Sequence, residues 1–334
     1  MNDFMTGILA WLYTILGNYG WAMVVFTLLI RLVLMPFDYK SRVSMRKMAK
    51  VQPKMAELQK KYAKDQNKLN QKMSELYKQE NVSPLSGCLP MLLSYPILII
   101  MFSAMRSFAN QQVVRQVVEI LQNPDVLPAF DGWLWIRNLW MPDSPFAASL
   151  PDYNTLRMIP SDIWLKFMNP ELIATLPEAL SSLTVDSFAG SELAGTITLI
   201  SNYLQSLPVY ESATAILPGW TFNLIFFSFS IMKEFNGLFL LPIFSGVSQF
   251  LMTKLTPQQQ PQAQADPNQP NTGKFMNWFF PIFSLWICSS YNGAFALYWV
   301  TSNLIAIAQT FIINKMLDEK EKKQANLQLE AAKK

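Results

Sequence analysis

The chain contains no histidine. That one absence removes Ser-His and Cys-His nucleophile pairs, imidazole proton relays and histidine metal sites. Cysteine is almost missing as well. Cys88 and Cys288 each fall in an apolar segment without a CxxC partner, so both read as inert core thiols and not as a disulfide or metal framework. Charged residues make up only 15% of the 334 positions, where soluble domains carry about a quarter. No glycine-rich P-loop occurs, so nucleotide chemistry has no visible seat and no cofactor is expected. No Lys or Arg precedes the first apolar run, which argues against a cleaved signal peptide.

What remains is a membrane composition, 51% hydrophobic and 13% aromatic. The segment from Phe4 to Ile30 has no charge, and after Arg31 the apolar run resumes to Phe37 before the next acid, Asp38. A guanidinium at membrane depth costs about 2.5–3.5 kcal/mol on insertion scales, and it cannot shed its proton to escape. Pro36 lies five residues on, so snorkelling toward a helix end is open to Arg31. A buried ion pair is harder to build, because no other predicted span holds an acid. A hydrated pocket around Arg31 is the stronger reading.

Taken in order, residues 1–18 place Phe4, Ile8, Trp11, Leu12, Ile15 and Leu16 at helical spacing, which predicts an external interfacial helix. A first span follows over 19–37. Residues 38–83 hold twelve Lys and Arg against five acids. A loop this short and this basic belongs on the cytoplasmic side, with the N-terminus outside. Its apolar positions recur by threes and fours at Met48, Val51, Met55, Leu58 and Tyr62, then at Leu69, Met73 and Leu76, predicting an antiparallel helical hairpin. Most of its charges read as a solvated face, although a basic arm beside a membrane also attracts anionic lipid or RNA phosphate.

A loop from Asn81 to Pro90 leads into a second span over 88–105. Residues 107–235 then form an extracytoplasmic loop, with eleven acids against four bases between 107 and 232. Amphipathic stretches near 112–122, 161–181 and 193–207 predict short surface helices, and Phe222 to Met232 is too short to cross and reads as interfacial. A third span covers 236–255. Residues 256–274, rich in Gln, Pro and Ala, read as a flexible cytoplasmic linker. The fourth and fifth spans fall at 275–290 and 294–316, and a charged cytoplasmic tail occupies 317–334. The fold class expected is an all-α polytopic membrane protein of five transmembrane helices.

Several fragments, in order, resemble the YidC-type membrane protein insertases, in their bacterial form without a large periplasmic domain. They are Ile30-Arg31-Leu32 with Met35-Pro36; Met45-Arg46-Lys47-Met48 and Gln52-Pro53; the run Asn81 to Pro90; and Phe130 to Leu139. Met276 to Pro281 and Ala296 to Asn303 complete the set. The resemblance implies five helices around a hydrophilic groove open to the cytoplasm and to lipid, in a bacterial cytoplasmic membrane. Arg31 would be the groove's positive charge, with Gln249 and Trp299 at polar or amphipathic lining positions. Ser302 and Asn303 are added here as further lining candidates, with interhelical hydrogen bonding as their ordinary alternative. The implied partners are nascent membrane proteins and the lipid bilayer, with the ribosome, the signal recognition particle pathway and a translocon beside them.

The sequence departs from the family pattern in three ways. The large periplasmic domain and extra N-terminal span of Gram-negative members have no counterpart here, nor does the lipoprotein cysteine of many Gram-positive ones. Residues 147–219 read as an insertion between the second and third core spans. The expected role is non-enzymatic: an insertase and chaperone whose client helices leave sideways into lipid. A solute transporter would want repeats and several intramembrane ligands, which are absent. A membrane-protein assembly scaffold is the blandest alternative.

Overall fold

The computed structural model describes residues 2–80, 82, 89–223, 228–255 and 272–332. Most of the Asn81–Pro90 loop, including Cys88, and residues 256–271 of the expected linker lie outside the described residues. Helices dominate. Four come first: α1 (Asn2–Leu16), α2 (Tyr19–Lys61), α3 (Gln66–Gln79) and α4 (Leu89–Gln122). Short helices α5 (Tyr153–Leu156), α6 (Ser161–Phe167), α7 (Pro170–Ile173), α8 (Leu193–Ser206) and α9 (Pro208–Thr214) follow. Next come strands β1 (Ile216–Asn223) and β2 (Ser228–Met232), then α10 (Leu240–Leu255), α11 (Thr272–Ser290) and α12 (Gly293–Ala332). Among the described residues, α2 and α12 are the helices long and apolar enough to cross a membrane by length and composition.

Three boundaries differ from the sequence reading. Pro36 does not end the first long helix. It and Pro53 both lie inside α2, where each removes one backbone hydrogen bond but leaves cooperative turns on either side. The second span and the 112–122 stretch form one helix, α4, because no Pro or Gly separates them. Part of the stretch expected to be interfacial forms strands: β1 and β2 pair as an antiparallel ribbon, with Thr221 opposite Ser230 and Phe222 opposite Phe229. The apolar–polar alternation in Trp220-Thr221-Phe222-Asn223 and Ser228-Phe229-Ser230-Ile231 favours a strand. Gly219, at φ +82°, takes up the register shift between Ile216 and Thr221.

The chain divides into two compact units. The first comprises Met1–Phe26, Ile100–Ser245 and Ser284–Val300. Its core is built on α4 from Met101 onward, where Met101, Val113, Val114, Val117 and Ile120 are buried. Tyr19, Phe108 and Trp140 meet edge to face with centroids 5.2–5.5 Å apart. The segment after α4 is tied by polar bonds. Asn236 donates to the carbonyls of Asn138, Met141 and Pro142, while Asn138 exchanges amide bonds with Gln116. Asp143, fully buried, accepts from the backbone N–H groups of Phe239 (3.2 Å) and Leu241 (2.7 Å) and so holds the start of α10. Gly237 makes this approach possible, since a Cβ there would stand 2.0 Å from Asp143 Oδ1. The inserted region has its own small core of Leu156, Ile163, Trp164, Phe188, Ile197 and Ile200.

The second unit comprises Thr27–Ile99, Gly246–Phe283 and Thr301–Lys334. In it α2 folds back on α3 through Met48, Val51, Leu76 and Val82, flanked by Met55, Leu58 and Tyr77. Asp65 caps α3 by accepting from Lys68 N–H at 3.0 Å, and Lys54 pairs with Glu80 at 2.6 Å. The second unit also holds most of the candidate site.

Candidate functional site

Arg31 lies twelve residues into α2, on a stretch where its neighbours Leu32 and Val33 are exposed and apolar. Its guanidinium turns toward α12. Nη2 and Nε both donate to Ser302 Oγ, at 2.6 and 3.0 Å, and Ser302 is buried. Gln309 anchors the same turn from the other helix, donating from Nε2 to the Arg31 carbonyl at 3.0 Å. Among the described residues no carboxylate is in ion-pair contact with Arg31. Asp38, two turns further along α2, acts on it and on Arg42 at longer range. The guanidinium of Arg31 is therefore held by one neutral hydroxyl oxygen and not by a direct ion pair.

Asn303, the next residue of α12, serves a second cluster. Its Nδ2 donates to Ser248 Oγ at 3.1 Å and to Gln249 Oε1 at 3.3 Å, linking α12 to α10. The five residues singled out from the sequence thus fall into three places. Arg31 meets Ser302, Gln249 meets Asn303, and Trp299 belongs to the first unit, where its ring packs on Phe295 with centroids 5.6 Å apart. The Trp299 indole N–H is buried and has no hydrogen-bond partner among the described residues.

The polar seam extends beyond the residues picked from the sequence. Arg42 Nη2 donates to Thr310 Oγ1 at 2.5 Å. Arg46 donates to the Asn314 carbonyl at 3.0 Å and pairs with Asp318 at 2.7 Å. Lys50 pairs with Glu321 at 3.1 Å. The sequence reading took most charges of the 38–83 loop as a solvated face; in the structure Arg42 and Arg46 are partly buried against α12. A signal was present: Arg42, Arg46 and Lys50 stand four apart on one helix face, as do Thr310, Asn314 and Asp318 on the other. The contacts ascend together from Arg31–Ser302 to Lys50–Glu321, so within this unit α2 and α12 run parallel.

Long apolar helices and an arginine bonded to a hydroxyl between two of them fit a helical membrane protein with a polar site among its helices. A sequence model of the 60Kd inner membrane protein family matches residues 11–186 and 197–321, and the chain belongs to that family. Among its relatives are three proteins named membrane protein insertase YidC. The one from Wolinella succinogenes is 27% identical over 315 residues, covering 94% of this chain and 37% of the relative. The Paracoccus denitrificans protein is 28% identical, covering 92% of this chain and 34% of its own length. The Chlorobaculum tepidum protein is 25% identical, with 96% and 37% covered. The chain therefore spans little more than a third of the length of these relatives.

Proposed function

We propose that this protein is a bacterial inner-membrane insertase and chaperone for nascent membrane proteins. The observation that carries the reading is the bonding of Arg31: a permanent cation at apolar depth, oriented by Ser302, with no carboxylate in ion-pair contact among the described residues and Asp38 acting on it only at longer range. Such a charge remains able to attract the acidic flank of a client segment, and low local dielectric strengthens the attraction. Ser302, Asn303 and Gln249, all in the second unit, line the hydrophilic path in this reading. The path replaces part of the hydrocarbon barrier with polar partners while the client's apolar helix leaves into lipid, favoured by about 0.8 kcal/mol per buried CH₂. The reading uses five spans, with the N-terminus outside and the C-terminus cytoplasmic. The parallel course of α2 and α12 supports it, since the first and last of five spans cross in the same direction. The basic hairpin of α2 and α3 and the charged end of α12 then face the ribosome and targeting factors. No bond-making chemistry is involved.

The test is insertion of a single-span client with a short acidic outer flank into liposomes holding the purified protein, against empty liposomes. Insertion above the empty control is expected, with a marked loss for Arg31→Ala. Failure of correctly folded wild type with several such clients would leave an assembly scaffold as the better description.

A further inference from the structure

The ribbon of β1 and β2 belongs to no part of the site described above. Between Glu211 and Lys233 the sequence has no charged residue, and the ribbon sorts its side chains by face. Directly opposed residues in an antiparallel pair share a face. Thr221 lies opposite Ser230 and Asn223 opposite Ser228, so these four make one polar face. It is closed by the Thr221–Ser230 hydroxyl contact at 3.2 Å and the Ser228 to Asn223 bond at 2.8 Å. The other face carries Phe222 opposite Phe229, with Trp220 and Ile231 beside them by alternation. Phe229 rests on Phe146 of the body, centroids 5.2 Å apart. Trp220 and Phe222, whose rings also meet, stay 53% and 52% exposed. The base is fixed by Met232 N–H donating to Pro145 and Lys233 N–H to Ala215.

We propose that this ribbon is a membrane-surface anchor, its aromatic face seated at the headgroup–acyl boundary of the bilayer. Three observations select lipid over a protein partner. The run carries no charge with which to recognise a folded partner. Its exposed aromatic residues are Trp220, a type enriched at membrane interfaces, and Phe222, a type common on the apolar face of interfacial elements. The chain also contains helices of membrane-crossing length, so a bilayer is already beside the protein. The depth follows from the backbone. A two-stranded sheet has two open edges whose N–H and C=O groups cannot be left in hydrocarbon, so the ribbon lies flat in the interface and does not cross. Its polar face then meets water.

The inference rests on the membrane location and not on insertase activity, and the experiment separates the two. The full chain, with Cys88→Ser and Cys288→Ala, is reconstituted into phosphatidylethanolamine–phosphatidylglycerol vesicles. Flotation with the vesicles checks the membrane location first. Nitroxide labels are then placed singly through Trp220→Cys, Phe222→Cys, Thr221→Cys and Asn223→Cys, keeping only variants with native helical circular dichroism. Collision with oxygen reports lipid, and collision with a water-soluble nickel chelate reports solvent. Labels at 220 and 222 are expected to favour oxygen several-fold, and those at 221 and 223 to favour nickel. Nickel access at all four positions would overturn the proposal. So would aromatic-face labels closed to both reagents, which would mean a protein surface covers the ribbon. Oxygen access without nickel at all four would overturn the interfacial depth.

Discussion

Arg31 shows how a charge can be kept without being neutralised. A carboxylate partner would satisfy the guanidinium but would also cancel its field. A hydroxyl satisfies geometry and leaves the field intact. Ser302→Ala removes both donations to that oxygen, and hydrogen bonds to charged groups are worth about 1.5 to 3 kcal/mol. A lowered unfolding temperature in detergent is therefore expected, with Ser302→Thr close to wild type because it keeps the oxygen. A second residue-scale prediction concerns Asp131, in the region between α4 and α5. Burial holds its carboxyl above the usual carboxylate range, against the opposing pull of the Trp140 indole N–H at 2.7 Å and of Arg115. The folded protein thus binds this proton more tightly than the unfolded chain does. Stability should gain as pH falls from neutral through the folded-state value, levelling off below the unfolded value of about 3.9. Asp131→Asn should lack that increment, which the difference between the two unfolding-temperature profiles against pH would reveal.

At the scale of elements, α10 depends on a carboxylate it does not contain. Asp143 reaches its first N–H groups only because Gly237 offers no Cβ. Gly237→Ala forces an atom to within 2.0 Å of Asp143 Oδ1. A loss of about 1–3 kcal/mol, typical of overpacking, is expected in denaturant unfolding. Such partnerships are invisible in sequence, because Asp143 and Gly237 are 94 positions apart and neither belongs to a local motif. Elements with a period are different. The three- and four-residue spacing of Met48, Val51, Met55 and Leu58 identifies residues that pack together in the α2–α3 seam. The ribbon has a legible period of two as well, in Trp220-Thr221-Phe222-Asn223 and Ser228-Phe229-Ser230-Ile231. Pro36, inside α2, shows the limit of a single residue: a proline weakens a helix locally, and the neighbouring turns decide whether the helix ends.

For the whole molecule, composition and charge distribution are the readable part. The scarcity of charge and the basic run over 38–83 point to a membrane protein, and the family match agrees. The division into two units was not readable, because each gathers segments from three distant stretches of chain. The proposed topology makes a clear prediction. In sealed vesicles of known orientation, a cysteine at Glu192→Cys should react with an impermeant maleimide from the outside only. One at Lys323→Cys should react only after the cytoplasmic face is opened. Reaction of both from one side would exclude the five-span arrangement.

The seam between α2 and α12 changes character along its length. At one end a guanidinium meets a buried serine; at the other Lys50 and Glu321 pair with side chains 66% and 46% exposed. Dissolved salt weakens exposed pairs, since the screening length shrinks to about 3 Å at 1 M, and scarcely touches buried ones. The exposed end of the seam is therefore its salt-sensitive end. Rising ionic strength is expected to weaken the Lys50–Glu321 and Arg46–Asp318 pairs and to leave the Arg42–Thr310 and Arg31–Ser302 bonds in place.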